Sequence, residues 1–248
     1  MASSGNGEIL AIYSSPSFDP TNVGKYLFSQ RLPLFNRVIS GMFHPGSVFK
    51  IVTATAALSE GKIDQNYRYE DPGVIKIKNF TYANWFFTQY GKTEGTIDLP
   101  RAIARSTDTF FYKLGEFTGV DGLVLWAKNF GLGEITNIDL PGEAPGLVPS
   151  PLWKIKTKGE AWFLGNTYHL SIGQGDLALT PIQVNLMTSV IAWGGKLCPP
   201  HLKEGRPQVC KDLNIESQNL ELIKKGMEGA CETGGTAFPF FGLNASLP

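Results

Sequence analysis

The 248-residue chain has no surplus of charge of either sign, with 22 Lys and Arg balanced by 22 Asp and Glu. That balance argues against a nucleic-acid binder, which announces itself by a basic excess or stripe. No apolar run reaches the roughly 18 residues of a membrane span. The opening Met1-Ala2-Ser3-Ser4-Gly5-Asn6-Gly7 lacks the basic-then-apolar layout of a secretory leader. As given, the chain therefore reads as soluble and without an address. Internal repeats, charge runs and low-complexity segments are missing too, which excludes solenoids and disordered tails. Histidine and cysteine are scarce at three each, and no His or Cys is followed by a second ligand at metal-like spacing. His44, His169 and His201 are accordingly read as structural. Cys198 and Cys210 flank a Pro- and Gly-containing stretch and could be bridged in an oxidising space, leaving Cys231 unpaired; three free thiols suit the sequence equally well.

What is present is an ordinary globular composition, 42% apolar and 18% charged, too apolar for disorder and long enough for a sizeable core. Residues 7–14 (GEILAIYS) predict a short, largely buried strand ended by the turn chemistry of Ser15-Pro16 to Asp19-Pro20. Irregular connection follows through Phe35-Asn36-Arg37. Residues 46–59 predict a buried helix opening on Ser47, and Asp71-Pro72-Gly73 a turn into an alternating strand at 74–78. Asp98 is positioned to cap a helix that Ser106-Thr107-Asp108 interrupts and Thr109–Gly115 resumes; residues 120–130 form another, closed by Gly131. Residues 131–160 read as loop. Thr180-Pro181-Ile182-Gln183 carries a capping box with proline at the first helical position, opening a helix to about Trp193, and residues 215–231 give the last, amphipathic helix. Helices outnumber strands and do not alternate with them, so the fold class is α+β.

The chemistry concentrates at Ser47-Val48-Phe49-Lys50, introduced by Pro45-Gly46. A serine and a lysine three positions apart share one helix face. A serine hydroxyl needs an adjacent base to act as a nucleophile near neutral pH. A lysine amine can serve when burial and a second cation depress its pKa, and Lys50 lies beside Phe49 and an apolar stretch. Alone, such a pair more often marks a helix N-cap with an exposed lysine.

Its company changes the reading. Ser106-Thr107-Asp108 is an S-x-D between two helical patterns. Ser171-Ile172-Gly173-Gln174-Gly175 precedes the capping box. Gly234-Gly235-Thr236-Ala237, followed by Pro239-Phe240-Phe241, comes near the end, and Gly7-Glu8-Ile9-Leu10-Ala11 with its turn residues stands at the start. In this order the motifs resemble the transpeptidase domain of class B penicillin-binding proteins. The S-x-D variant is most similar to the elongation type, penicillin-binding protein 2.

The resemblance implies a penicillin-binding protein and serine β-lactamase-like transpeptidase fold, with a helical subdomain and an incomplete antiparallel sheet, residues 1–248 forming one partial domain. It implies D,D-transpeptidation of peptidoglycan stem peptides through a serine acyl-enzyme, with β-lactams as covalent inhibitors and no cofactor. It also implies a location at the extracytoplasmic face of the bacterial cytoplasmic membrane, with a membrane glycosyltransferase and cell-elongation proteins as partners. By the same resemblance Ser47 is the nucleophile and Lys50 its base. Ser106 relays a proton, and Asp108 holds Lys50 or the substrate amide through a charge-assisted hydrogen bond. An ionised Asp108 favours a cationic Lys50 and should itself find a second donor. The Ser47 N–H is suited to half of an oxyanion hole.

Two departures accompany it. Some relatives place zinc between the first two motifs with a His and a Cys; no His or Cys lies between Lys50 and Ser106, so no such site is expected. The family's third motif, Lys-Ser/Thr-Gly, is not found. Gly91-Lys92-Thr93-Glu94-Gly95 lacks the glycine after Lys-Thr, and Glu232-Thr233-Gly234 begins with an acid. The expected strand would begin near Pro248. The chain therefore reads as truncated at both ends and inactive or weak by itself. A penicillin-binding sensor or scaffold domain and a class D-like β-lactamase are the alternatives. Trp85-Phe86-Phe87 and Phe110-Phe111-Tyr112 are expected in the core, Trp153 and Trp162 in packing, and the glycines of Gly173-Gln174-Gly175 to serve backbone geometry.

Overall fold

Residues 2–205 and 209–240 are described by the computed structural model. Their centre is helix α1 (Lys50–Ser59), buried at every position from Lys50 to Leu58. A helix apolar all round belongs in an interior. Ala54, Ala56 and Ala57 keep its surface low, and α3 (Leu99–Ala104), α4 (Asp108–Asn129) and α8 (Ser217–Ala230) pack on it. Phe49, Phe110, Phe111, Phe130 and Tyr168 have no accessible surface. Each such side chain contributes about 1.5–3 kcal/mol on burial.

The predicted helices around Ser106 are found. Asp98 caps α3, accepting from the Arg101 N–H at 3.0 Å. The two segments 109–115 and 120–130 join into α4, interrupted at Gly119, whose φ of 71° no helix accommodates. Thr180 and Gln183 form the expected reciprocal cap of α7 (Pro181–Ala192), and Gln183 Nε2 also donates to the Glu134 and Pro145 carbonyls. Two helices, α5 (Pro151–Lys158) and α6 (Leu164–Ser171), complete the set beside α2 (Trp85–Tyr90). α5 corrects the loop expected over 131–160. The Pro149-Ser150-Pro151 cluster is a helix start, with Ser150 Oγ accepting from Trp153 N at 3.1 Å and Pro151 at the first helical position.

The strands are short antiparallel pairs: β1 (Ala2–Ser3) with β2 (Ile9–Ala11), β3 (Tyr69–Glu70) with β6 (Thr96–Ile97), β4 (Val74–Ile77) with β5 (Phe80–Ala83), and β7 (Lys196–Leu197) with β8 (Lys211–Asp212). The strand expected over 7–14 is confined to 9–11. Of the three residues of β2 only Ile9 is buried; Leu10 is 64% exposed and Ala11 is exposed as well. Cys198 and Cys210 are joined in a disulfide beside β7 and β8, and Cys231 is free and exposed. Phe241, and the point near Pro248 where a further strand is expected, lie outside the described residues.

Candidate active site

Pro45-Gly46 delivers the chain into a 3-10 turn over Gly46–Phe49, and α1 begins at Lys50 rather than at Ser47. Phe49 is fully buried and anchors the turn, while Ser47 stays exposed. The turn is held from behind by the glycine loop: Gly46 N donates to Gly173 O at 2.9 Å. Gly173 has φ 73°, and a Cβ there would lie 2.1 Å from Gly46 O. Only glycine allows this approach of backbone to backbone. Among the described residues nothing bonds the Ser47 hydroxyl or its N–H, so both are available to a ligand.

One turn inward, Lys50 is 2% exposed. Its ammonium donates to Asp108 Oδ1 at 2.6 Å, Ser106 O at 2.8 Å and Ser106 Oγ at 2.9 Å. The Phe111 ring covers another side, 5.3 Å from Nζ. Burial pushes the Lys50 pKa down and the Asp108 carboxylate pulls it back; burial wins. Asp108 thus raises the Lys50 pKa as expected, but the lysine is wholly withdrawn from water and that effect is the larger.

Ser106 links α3 to α4 with φ 53°, a left-handed conformation uncommon outside glycine. That geometry turns its carbonyl and its hydroxyl toward the same ammonium. Asp108, at the start of α4, also accepts from Trp85 N through Oδ2 at 3.2 Å, the second donor its charge requires. The structure thus brings Lys50, Ser106 and Asp108 into direct contact, with Ser47 one helical turn away.

Ser47, Ser106 and Asp108 open onto a cleft of about 730 Å³ also lined by Trp85, Phe86, Tyr90, Arg105, Gln174, Gly235, Thr236 and Phe238. Trp85 and Phe86 were expected in the core; they form the cleft wall. α2 is one short helix set on the surface, and the Arg105 guanidinium stacks on both rings, 5.4 and 4.9 Å from their centroids. Phe110 and Phe111 do lie in the core. Arg105 is held by the buried Glu94 carboxylate at 2.7 Å and donates to Gly234 O at 3.0 Å. Together with Thr236 Oγ1 on Ala104 O, at 3.2 Å, this docks the Gly234–Ala237 segment at the cleft.

Sequence reasoning missed Arg105 and Glu94, and it missed a buried pair behind the site, Asp71 and Asn84. Asp71 was read only as a turn residue. The available signal was Asn84 standing before the aromatic run Trp85-Phe86-Phe87, but nothing local says what it or Asp71 faces. Elsewhere, His44 Nδ1 is 2.7 Å from Leu177 O, His201 is buried against strand backbone, and His169 lies against Tyr82. Trp162 Nε1 donates to Thr167 Oγ1 at 2.8 Å, and neither it nor Trp153 lines the cleft.

The model of the penicillin binding protein transpeptidase domain matches residues 1–241. A curated relative, the peptidoglycan D,D-transpeptidase MrdA of Acinetobacter baumannii, is 36% identical over 206 residues, 79% of this chain and 30% of its own length. Among solved structures, PBP2 of Pseudomonas aeruginosa in complex with WCK 5153 superposes with a TM-score of 0.85 at 34% identity, over 95% of this chain and 57% of that one. PBP2 of Helicobacter pylori in its complex with MreC gives 0.80 at 32% identity, over 89% and 41%. The chain spans less than half the length of the curated relatives it matches.

Proposed function

The chain belongs to the penicillin-binding protein transpeptidase domain family, and from that premise we propose that Ser47 is acylated by peptidoglycan stem peptides and by β-lactams, with Lys50, Ser106 and Asp108 handling its proton. The observation that carries this reading is the wholly buried Lys50, whose N–H groups end on Ser106 and Asp108 directly behind an exposed serine.

An ammonium has three donors, and three acceptors surround Lys50 Nζ. When it loses a proton, two donors and one lone pair remain. Of the three partners, the Asp108 carboxylate and the Ser106 carbonyl can only accept; the Ser106 hydroxyl can turn and donate. Ser106 is therefore the partner along which a proton moves to or from Lys50. Asp108 holds the amine in place and steadies its charged form.

In the acylation step Lys50 takes the Ser47 proton while Ser47 Oγ bonds to the carbonyl carbon of the terminal D-alanyl-D-alanine amide. The C–N bond then breaks, Ser106 passes a proton to the leaving nitrogen, and D-alanine departs. An amine of a neighbouring stem peptide attacks the ester and gives up a proton to Ser106 and Lys50, the C–Oγ bond breaks, and Ser47 Oγ takes that proton. A β-lactam takes the first half of this course, but its leaving nitrogen stays tethered. The Ser47 N–H, which nothing bonds among the described residues, supplies one donor for the developing oxyanion.

We take residues 1–248 as part of one transpeptidase domain acting at the extracytoplasmic face of the bacterial cytoplasmic membrane. The Cys198–Cys210 disulfide suits an oxidising compartment. A membrane glycosyltransferase and cell-elongation proteins are the partners this family reading implies; the solved PBP2–MreC complex from Helicobacter pylori supports the second.

Labelling with a fluorescent penicillin tests the reading. A stable adduct that Ser47→Ala abolishes is expected. A label shed rapidly as hydrolysed drug would point to a β-lactamase, and stable labelling with no transfer to an acceptor amine would point to a sensor. Labelling that survives Ser47→Ala would overturn the assignment.

A further inference from the structure

Asp71 is 2% exposed and lies in the turn after β3. Both of its oxygens are doubly occupied. Oδ1 accepts from Gly73 N at 2.9 Å and Thr109 Oγ1 at 2.6 Å; Oδ2 accepts from Asn84 Nδ2 at 3.1 Å and Glu94 N at 3.0 Å. Those donors come from the turn itself, from the β5–α2 junction, from the segment before β6, and from the first turn of α4. Gly73 N, Glu94 N and Asn84 Nδ2 can only donate to Asp71, and an amide of the same shape would turn donors toward at least one of these three.

The pinned Asn84 is itself fully buried. Its Oδ1 accepts from Asp108 N at 3.3 Å, and the next residue, Trp85, donates its N–H to Asp108 Oδ2 at 3.2 Å. Thr109, bonded to Asp71, directly follows Asp108 in the chain. Both ends of Asp108, backbone and carboxylate, are thus referred back to a buried anion that never meets the cleft.

We propose that Asp71 and Asn84 are positioning residues, a buried hydrogen-bonded buttress that sets the Asp108 carboxylate on Lys50. Its consequence for acylation rests on the active-site reading above; its consequence for Lys50 does not. Lys50 is faced from α4 by Asp108, the one charged group paired with it among the described residues, and by the Phe111 ring, and from the α3–α4 link by the Ser106 hydroxyl and carbonyl; the Tyr112 hydroxyl feels the Asp108 charge. Loosening Asp108 weakens the upward pull on Lys50 and lets its burial dominate.

The test is the titration of Lys50 followed by NMR of 13C-labelled lysine, assigned with Lys50→Met, alongside acylation rates with a fluorescent penicillin. In Asn84→Ala and Asp71→Asn the Lys50 titration is expected to move to lower pH. The second-order acylation rate should fall by about tenfold or more, one such factor answering to the loss of a single hydrogen-bonded contact. Its acid limb should move the same way as the titration. In an Asp108→Asn background Asn84→Ala should add almost nothing, because the two act through one contact. Should Asp71→Asn fail to fold, Asn84→Ala and Thr109→Val carry the same measurement. An unmoved Lys50 titration in the folded variants, or an undiminished Asn84→Ala effect in the Asp108→Asn background, overturns the proposal. A moved titration in a protein that never acylates at Ser47 would sink the active-site reading and leave the buttress standing.

Discussion

Asp108→Asn alters one atom, and its cost can be worked through contact by contact. The carboxylate reaches Lys50 Nζ through Oδ1 at 2.6 Å and Trp85 N through Oδ2 at 3.2 Å. Asparagine keeps the shape but has one acceptor. With its oxygen turned to Lys50, its amide faces the Trp85 N–H, and a part-buried donor left without an acceptor costs about 1–3 kcal/mol. The bond to Lys50 also falls from an ion pair to a hydrogen bond in which only the ammonium is charged, roughly another 1 kcal/mol. The expected loss is therefore about 2–4 kcal/mol, or a Tm lower by roughly 4–8 °C for a chain of this size.

The pH dependence has a definite sign. Burial already holds Lys50 below its ordinary value, and removing Asp108 lowers it further. Below the ordinary lysine range the unfolded variant then binds more protons than the folded one. The parent shares this slope until its own folded Lys50 takes up a proton, so the variant's deficit against the parent should grow as the pH falls from the parent's folded Lys50 pKa to the variant's lower one. Urea unfolding of both proteins across that range measures it. A Tm equal to that of the parent, or a deficit that stays flat with pH, would refute the reasoning about Lys50.

Two further substitutions probe the frame around the site. Gly173→Ala places a Cβ 2.1 Å from Gly46 O at a left-handed φ, and should cost about 2–5 kcal/mol from overpacking and backbone strain. Because Gly46 must shift, acylation per folded molecule should slow as well; a normal rate beside an unchanged denaturation midpoint would count against the glycine-loop account. Replacing both Cys198 and Cys210 by serine frees a loop with a sequence separation of 12 and should cost roughly 3 kcal/mol. Acylation kinetics of the folded variant should match the parent, since the bridge lies outside the cleft lining.

Local signals were enough wherever local chemistry decides the conformation. Asp98 and Thr180 cap the helices their neighbours announce, and Gly173 meets Gly46 as a glycine-rich turn suggests. Ser47, Lys50, Ser106 and Asp108 could be put forward as site candidates because they stand in two short motifs in a fixed order, although only the fold shows Lys50 touching Ser106 and Asp108. What stayed hidden depends on distant partners. Ser150-Pro151 reads as loop until Trp153 supplies the capped N–H. Trp85 and Phe86 read as core until Arg105 is seen stacked on them. Asp71 reads as a turn residue until four donors, from as far along the chain as Thr109, converge on it. The net direction of the Lys50 shift was likewise out of reach, because it turns on total burial opposing a carboxylate 2.6 Å away.

The central claim is that Ser47 is the acylated residue. Intact mass of the protein after exposure to a penicillin, followed by peptide mapping, tests it most directly. A single covalent adduct on the peptide containing Ser47, absent from Ser47→Ala and formed far more slowly in Lys50→Met, is the predicted result. An adduct on any other residue, or one that forms equally well in Ser47→Ala, would contradict it.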